Sequence, residues 1–197
     1  MADPHFDHYM SIKYCKRPFK TDKEMTSAMI ANINKVVKQN DILFIIGDFG
    51  LGSVKQLAEI RHRIKCYNVN LIVGNHDHKY IKNTLFKKMF SRIYEQVEIK
   101  VGNYVLFLNH YSMRVWSKSH YGSIQLHGHS HGNLWPKRNS LDCGVDLHNF
   151  VPLNLKQILE ELNKPYKRIW FYFKRLLNRY VERIAQKLSN QTPNRQR

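Results

Sequence analysis

Ile42-Leu43-Phe44-Ile45-Ile46 is a continuous apolar run of strand length that stops at Gly47-Asp48, and Leu71-Ile72-Val73 stops in the same way at Gly74-Asn75-His76-Asp77. A strand without polar alternation has no wet face and must be covered on both sides, the situation of strands in helix-flanked parallel sheets. Two such strands that deliver polar residues at their carboxyl ends predict an α/β sheet with a ligand site outside those ends. Asp48 and Asn75 are therefore expected close together in space.

The rest of the chain supports an alternation of helices and strands. Thr21-Asp22-Lys23-Glu24 has the form of a capping box, and Met25, Ala28, Met29, Ile33, Val36 and Val37 follow at helical spacing, predicting a helix to about Gln39. Ser53 is placed to cap a second helix with Val54, Leu57, Ile60 and Ile64 on its apolar face. Segments 94–101 and 104–109 flank Gly102-Asn103 and read as a hairpin leading into His110. Further short strands are expected at 124–127 and 141–145, and a helix at 153–162. Asp142 and Asp146 are read as turn residues of a late hairpin.

Five segments carry the chemistry: Asp3-Pro4-His5, Gly47-Asp48, Gly74-Asn75-His76-Asp77, His110, and Gly128-His129-Ser130-His131. A carboxylate can bridge two cations, an amide offers a neutral oxygen, and imidazoles offer nitrogen, so this mixture suits a dinuclear site with oxygen and nitrogen donors. Two cations about 3.5–4 Å apart polarise a phosphoryl group, lower the pKa of a bridging water and position it for in-line attack. Taken singly, each segment also has a bland reading: Gly47-Asp48 as a turn, and the 128–131 segment as a histidine-rich surface loop.

In this order the five segments resemble the calcineurin-like metallophosphoesterase family, whose members hydrolyse phosphate esters at a pair of divalent metals. The match spans roughly residues 3 to 150, and its specificity lies in the recurrence of all five elements in sequence. The resemblance implies an α/β fold of the four-layer αββα sandwich type. It further implies that Asp3, His5, Asp48 and His131 hold one metal while Asp48, Asn75, His110 and His129 hold the other, with Asp48 as the bridge. His76 matches the histidine that steadies the transition state or protonates the leaving oxygen, with Asp77 orienting it. Manganese heads the metals that tolerate such ligands, followed by iron, zinc, nickel and cobalt.

The chain departs from the family pattern in having only Met1 and Ala2 ahead of Asp3, so the first strand is expected to be truncated. Asp3 and His5 are then expected near a fraying end, with weaker metal binding at their site. Phe49-Gly50-Leu51-Gly52 stands where many relatives carry another acidic residue, and reads as a glycine-rich turn beside the bridge. Asn109, Tyr111, Arg114 and Lys118 lie around His110 as candidates for phosphate contact, against a solvated loop for any one of them. His127 is expected beside the ligands or in solvent. His8, His62, His78, His120 and His148 occupy no motif position and are expected to be surface or hydrogen-bonded histidines.

With 197 residues and 43% hydrophobic content the chain can bury a sizeable core. It contains no apolar run approaching the roughly 18 residues of a membrane span, and no secretory signal is read. Cys15, Cys66 and Cys143 are odd in number and lie in no metal-like spacing, which points to free thiols in a reducing compartment. A cytoplasmic protein is expected, with peripheral attachment to a membrane surface as an extension of that reading.

A net charge of +17 predicts attraction to polyanions. Much of it lies in residues 164–197, where ten Lys or Arg stand against Glu182 alone. Ile169, Phe173, Leu176, Leu177, Tyr180, Val181, Ile184 and Leu188 recur there at spacings of three and four. That is a basic amphipathic helix. Its apolar face is expected either to pack on the enzyme or a second copy, or to lie on an anionic membrane surface; nucleic acid is the third candidate partner for residues 164–188. The domain reading is a catalytic domain at 1–163, the basic helix at 164–189 and a disordered tail at 190–197.

The functional expectation is a metal-dependent hydrolase of phosphate esters, foremost a phosphodiesterase acting on a nucleotide or nucleic acid. The alternatives are a phosphomonoesterase, or a non-catalytic module that binds polyanions or a membrane surface.

Overall fold

The computed structural model describes residues 1–135, 137–164 and Tyr180, so the basic helix and tail expected at 164–197 lie outside the described residues apart from Lys164 and Tyr180. The chain divides into a unit Met1–Leu162 and a second unit Asn163–Arg197. The first holds both sheets.

The two apolar runs form β1 (Ile42–Ile46) and β2 (Asn68–Ile72), which pair in parallel with Ile46 opposite Ile72. A third short strand, β3 (Arg92–Tyr94), pairs in parallel with β2 and completes a sheet of order β1-β2-β3. Side chains alternate across these strands. Leu43, Ile45, Val69 and Leu71 join a core with Met25, Met29 and Ile33 of helix α2 (Asp22–Val36) and Leu57 and Ile60 of α3 (Val54–Arg63). From the other face, Ile46 and Ile72 join a second core with Leu106, Leu108, Ile124, Leu126 and Leu141. Both faces of β1 and β2 are thus covered, which is why neither reads as alternating.

The second core belongs to a four-stranded sheet of order β4-β5-β6-β7. Its members are β4 (Gln96–Val101), β5 (Tyr104–Asn109), β6 (Ile124–His127) and β7 (Ser140–Asp142). The hairpin at Gly102-Asn103 joins β4 to β5 antiparallel, with Val101 opposite Tyr104. Tyr94 was expected in that hairpin but ends β3 of the first sheet, so the chain changes sheets at Glu95. The late hairpin does not form either: β6 and β7 are parallel, and a short 3₁₀ turn, Val145–Leu147, follows instead of more strand. The architecture is a mixed α/β fold with two sheets and flanking helices.

Helix ends follow local chemistry. Ser53 and Gln56 make a reciprocal capping box on α3. On α2, Thr21 Oγ1 accepts from the Glu24 N–H, but the Glu24 carboxylate accepts from Lys20 N–H rather than from Thr21. The helix stops at Val36, short of Gln39, because Val37 is extended. A six-residue helix, α1 (Tyr9–Tyr14), precedes these, while α4 (Thr84–Lys88) and α5 (Leu155–Asn163) come later. No described helix is long and apolar enough to cross a membrane.

The expectation of a frayed start is corrected. Met1, Ala2, Asp3 and His5 are buried, and the segment is bonded from two sides. Ala2 N–H donates to Cys143 O at 2.7 Å and Val145 N–H to Ala2 O at 3.0 Å. On the other side Ile46 N–H donates to Met1 O at 2.9 Å and His5 N–H to Asp48 O at 3.0 Å. Residues 1–6 therefore lie between the end of β1 and the segment after β7, bridging to Gly144 and Gly50 rather than forming a regular strand.

Candidate metal centre

Every chemistry-bearing segment leaves a strand at its carboxyl end or lies beside one. Asp48 follows β1, the 74–77 segment follows β2, His110 follows β5 and the 128–131 segment follows β6, while Asp3 and His5 run alongside the end of β1. Because β1 and β2 are parallel, as are β5 and β6, each sheet brings its two segments to one edge.

There the side chains converge. Asp48 Oδ2 lies 3.6 Å from His5 Nε2, 3.6 Å from His110 Nε2 and 3.9 Å from His76 Nε2. Three groups around it are close enough to hold a metal ion: Asp3, His5 and His131; His5, Asp48 and His76; and Asp48, His110 and His129. Asn75 Oδ1 joins the last at 3.1 Å from His110 Nε2. All seven residues expected as ligands, and His76, are thereby in one place.

Two observations test whether these groups suit a cation. Asp3 Oδ1 is buried and has no hydrogen-bond partner among the described residues, an arrangement that is costly for a carboxylate unless a positive charge meets it. His110 supplies the second. Its Nδ1 lies 3.0 Å from Ile46 O, and a carbonyl can only accept, so the proton is on Nδ1. Burial lowers the pKa of His110, which keeps the ring neutral and leaves Nε2 with a lone pair aimed at the acceptor Asn75 Oδ1. Two lone pairs facing one point make a place for a cation, and the donor set of carboxylate, amide and imidazole fits borderline divalent metals.

The site is also strained. Asp3, His5, Asp48, His129 and His131 all have φ between 45° and 66°, so most of the expected ligands adopt the left-handed conformation that side chains normally avoid. Each such residue costs on the order of 1 kcal/mol and persists only where its surroundings over-determine it. Glycines make the room. A Cβ on Gly47, itself at φ +83°, would overlap the His110 ring, and one on Gly74 would collide with Asp48 Oδ1 and its N–H.

The surroundings that over-determine these conformations include residues to which the sequence pattern gave other parts or none. Asp77 does not orient the His76 ring. Its buried carboxylate accepts from Asp48 N–H (2.8 Å), Phe49 N–H (3.0 Å) and Gly74 N–H (2.9 Å), tying the ends of β1 and β2 together. Burial nevertheless pushes its pKa up to about 7. His76 is held through its own backbone, whose N–H donates to Asp48 Oδ1 at 2.9 Å, and its half-exposed ring faces the rings of His5 and His8.

Asp142 and Asp146 order the 128–131 loop instead of a hairpin turn. Asp142 accepts from Ser130 Oγ (2.5 Å) and from the N–H groups of Gly132 (2.9 Å) and Gly144 (2.8 Å). Asp146 Oδ2 accepts from His131 Nδ1 at 2.7 Å, which directs Nε2 of that ring elsewhere. This bond, with a contact to Cys15, raises the His131 pKa to about 10. Arg17, absent from every motif, clamps Asp146 and also donates to the carbonyls of Asp3 (2.8 Å) and Pro4 (2.9 Å).

His8 is the other residue missed. Its Nδ1 lies 3.3 Å from His5 Nδ1 and it lines the cleft over the site. The i, i+3 spacing from His5, at the entrance to α1, was the available signal. His127 is buried in β6, and Lys118 pairs with Glu98 instead of standing free beside His110.

Comparison with known proteins places the chain by descent. It is 30% identical over 173 residues to the uncharacterized protein MJ1445 of Methanocaldococcus jannaschii, covering 83% of this chain and 90% of that one. The chain belongs to the family of that archaeal protein. No family model matches it. The fold of this chain is shared by the crystal structure of a protein of unknown function, AQ665 from Aquifex aeolicus, which superposes with a TM-score of 0.64 at 20% identity over 81% of this chain and 96% of that one. Pseudomonas putida nuclease MPE gives a TM-score of 0.41 at 21% identity, covering 66% and 58%, too low to bear on the site.

Proposed function

We propose that this chain is a metal-dependent phosphoesterase of the calcineurin-like metallophosphoesterase kind, built on the four-layer sandwich and acting foremost on phosphodiesters. The observation that carries this reading is the position of Asp48 between the group that contains Asp3, His5 and His131 and the group that contains His110, His129 and Asn75. A single carboxylate shared by two donor sets is what a dinuclear centre requires. The orphaned Asp3 Oδ1 and the facing lone pairs of His110 and Asn75 support the same reading.

When bound, two divalent cations would polarise the phosphoryl oxygens and acidify a water for in-line attack. The chain's own residues do the rest. Asp3, His5, Asp48 and His131 would hold one cation and Asp48, Asn75, His110 and His129 the other. The His110 Nδ1–H bond to Ile46 O and the His131 Nδ1 bond to Asp146 fix which nitrogen each ring presents. His76, half exposed beside Asp48, stands at the mouth of the site, where it would donate a hydrogen bond to the phosphoryl group or a proton to the leaving oxygen.

The test is hydrolysis of bis(p-nitrophenyl) phosphate by the purified chain after chelation and stepwise addition of manganese, with Asp48→Asn as control. Metal-dependent turnover that falls at least about 100-fold in the variant is expected. No turnover with manganese, nickel or zinc would overturn the phosphodiesterase reading.

A further inference from the structure

Resting on the phosphodiesterase reading, we propose that the outward face of α1 and the lysine that ends it form a subsite for single-stranded nucleic acid leading into the metal centre. The cleft over the site has a volume of about 730 Å³, and Met10, Tyr14 and Lys16 line it together with His76 and Asp48. That volume lies within the range of about 300–1,000 Å³ usual for ligand sites. It is far more than a phosphate group needs, so the cleft has room for the organic parts of a diester.

The chemistry of the α1 wall identifies those parts. The helix buries only Ser11 and Ile12; Met10 and Tyr14 line the cleft, Tyr9 and Lys13 are exposed on α1 outside its lining, and Tyr14 is 76% exposed. Lys13 Nζ sits 5.1 Å from the centre of the Tyr9 ring. Lys16 follows the cap of α1 at φ 52°, a left-handed position where glycine is usual, and lines the cleft. Aromatic faces interleaved with fixed cations form the pattern that binds single strands, the rings stacking on bases and the lysines meeting phosphates. A duplex keeps its bases stacked inside, so the Tyr14 ring selects unpaired ones. The chain's charge of +17 draws the same ligand. A lipid surface fits less well, because Met10 is the only aliphatic side chain that α1 turns outward.

Fluorescence anisotropy of a short labelled single strand and of its duplex, with the full chain in chelator at several salt concentrations, tests the subsite without any metal. Tyr14→Ala is expected to weaken single-strand binding about tenfold and to leave duplex binding unchanged. Lys16→Ala is expected to reduce the slope of log affinity against log salt by about 0.7, the loss of one phosphate contact on a single strand. Unchanged single-strand affinity in the first variant and an unchanged slope in the second would overturn the proposal. Hydrolysis of bis(p-nitrophenyl) phosphate by the unaltered chain reads the other question. Turnover without these binding effects removes the subsite and leaves the phosphodiesterase; the binding effects without turnover leave a single-strand surface and remove the phosphodiesterase.

Discussion

Arg17 and Asp146 form a two-point ion pair, Nε to Oδ1 at 2.7 Å and Nη2 to Oδ2 at 3.0 Å, in which the arginine side chain is wholly buried. The carboxylate reaches on to His131, and the guanidinium reaches back to the carbonyls of Asp3 and Pro4. One cation thus joins the strained Asp3-Pro4-His5 turn to the distant loop that supplies His131. This is how a start with no regular strand is held in place.

Arg17→Ala should therefore damage stability and site together. Removing one partner of a buried pair typically costs about 3–5 kcal/mol, because the other charge is left without compensation. Urea unfolding monitored by circular dichroism should show that loss, and titration with cobalt should show weakened binding at one of the two proposed sites. Arg17→Lys should recover little, since an ammonium cannot make the forked contact. Full stability in either variant would contradict the clamp.

His76→Ala should behave in the opposite way. The ring is half exposed and the backbone N–H that holds Asp48 Oδ1 survives the substitution. Metal content and melting temperature should stay near those of the unaltered chain while turnover of bis(p-nitrophenyl) phosphate falls about 10²- to 10⁴-fold, the range for a lost acid or hydrogen-bond donor. Turnover equal to that of the unaltered chain would remove His76 from the mechanism.

The strands that carry the site could be read from residues because covering both faces of β1 and β2 leaves an uninterrupted apolar run, and a parallel sheet gathers the residues after such runs at one edge. The surrounding shell could not be read this way. Arg17 meets Asp146 across 129 positions of sequence and Asp142 meets Gly132 across 10, and no local pattern announces a partner that far away. Asp77 misled for a related reason: its place next to His76 suggested a side-chain contact, whereas the turn aims its carboxylate at the backbone of another loop. The parallel pairing of β6 and β7 was missed because short strands carry no signal of direction. His8 lay within reach, three positions from His5 at the entrance to α1.

Gly74→Ala probes the close approach of the β1 and β2 loops. Gly74 donates its N–H to Asp77 Oδ2, and an added methyl would meet Asp48, backbone and carboxylate alike. Neither neighbour can yield without disturbing the shared carboxylate. The expected result is a loss of about 1–3 kcal/mol in stability, the usual cost of overpacking, together with a disproportionate loss of metal affinity by calorimetry. Metal binding equal to that of the unaltered chain would show that the loops adjust.

Metal binding should release protons, with a sign set by two groups. Burial raises the Asp3 pKa to about 8, so at pH 7 this carboxyl is mostly protonated when no cation is nearby. His131, raised to about 10 by Asp146, carries a proton on both nitrogens at the same pH. A cation held by Asp3 and by His131 Nε2 must displace one proton from each, so its uptake at pH 7 should release about two. Apparent affinity should accordingly rise steeply with pH, and the rise should become shallower above about pH 8, where Asp3 is already ionised and only the His131 proton remains to be lost. Calorimetric titration with manganese in buffers of different ionisation enthalpy gives the proton count directly. In Asp146→Asn the His131 pKa should fall back toward its ordinary value, and the count at pH 7 should drop by about one. An unaltered chain that binds manganese at pH 7 without releasing protons would show that Asp3 and His131 are not the atoms that hold it.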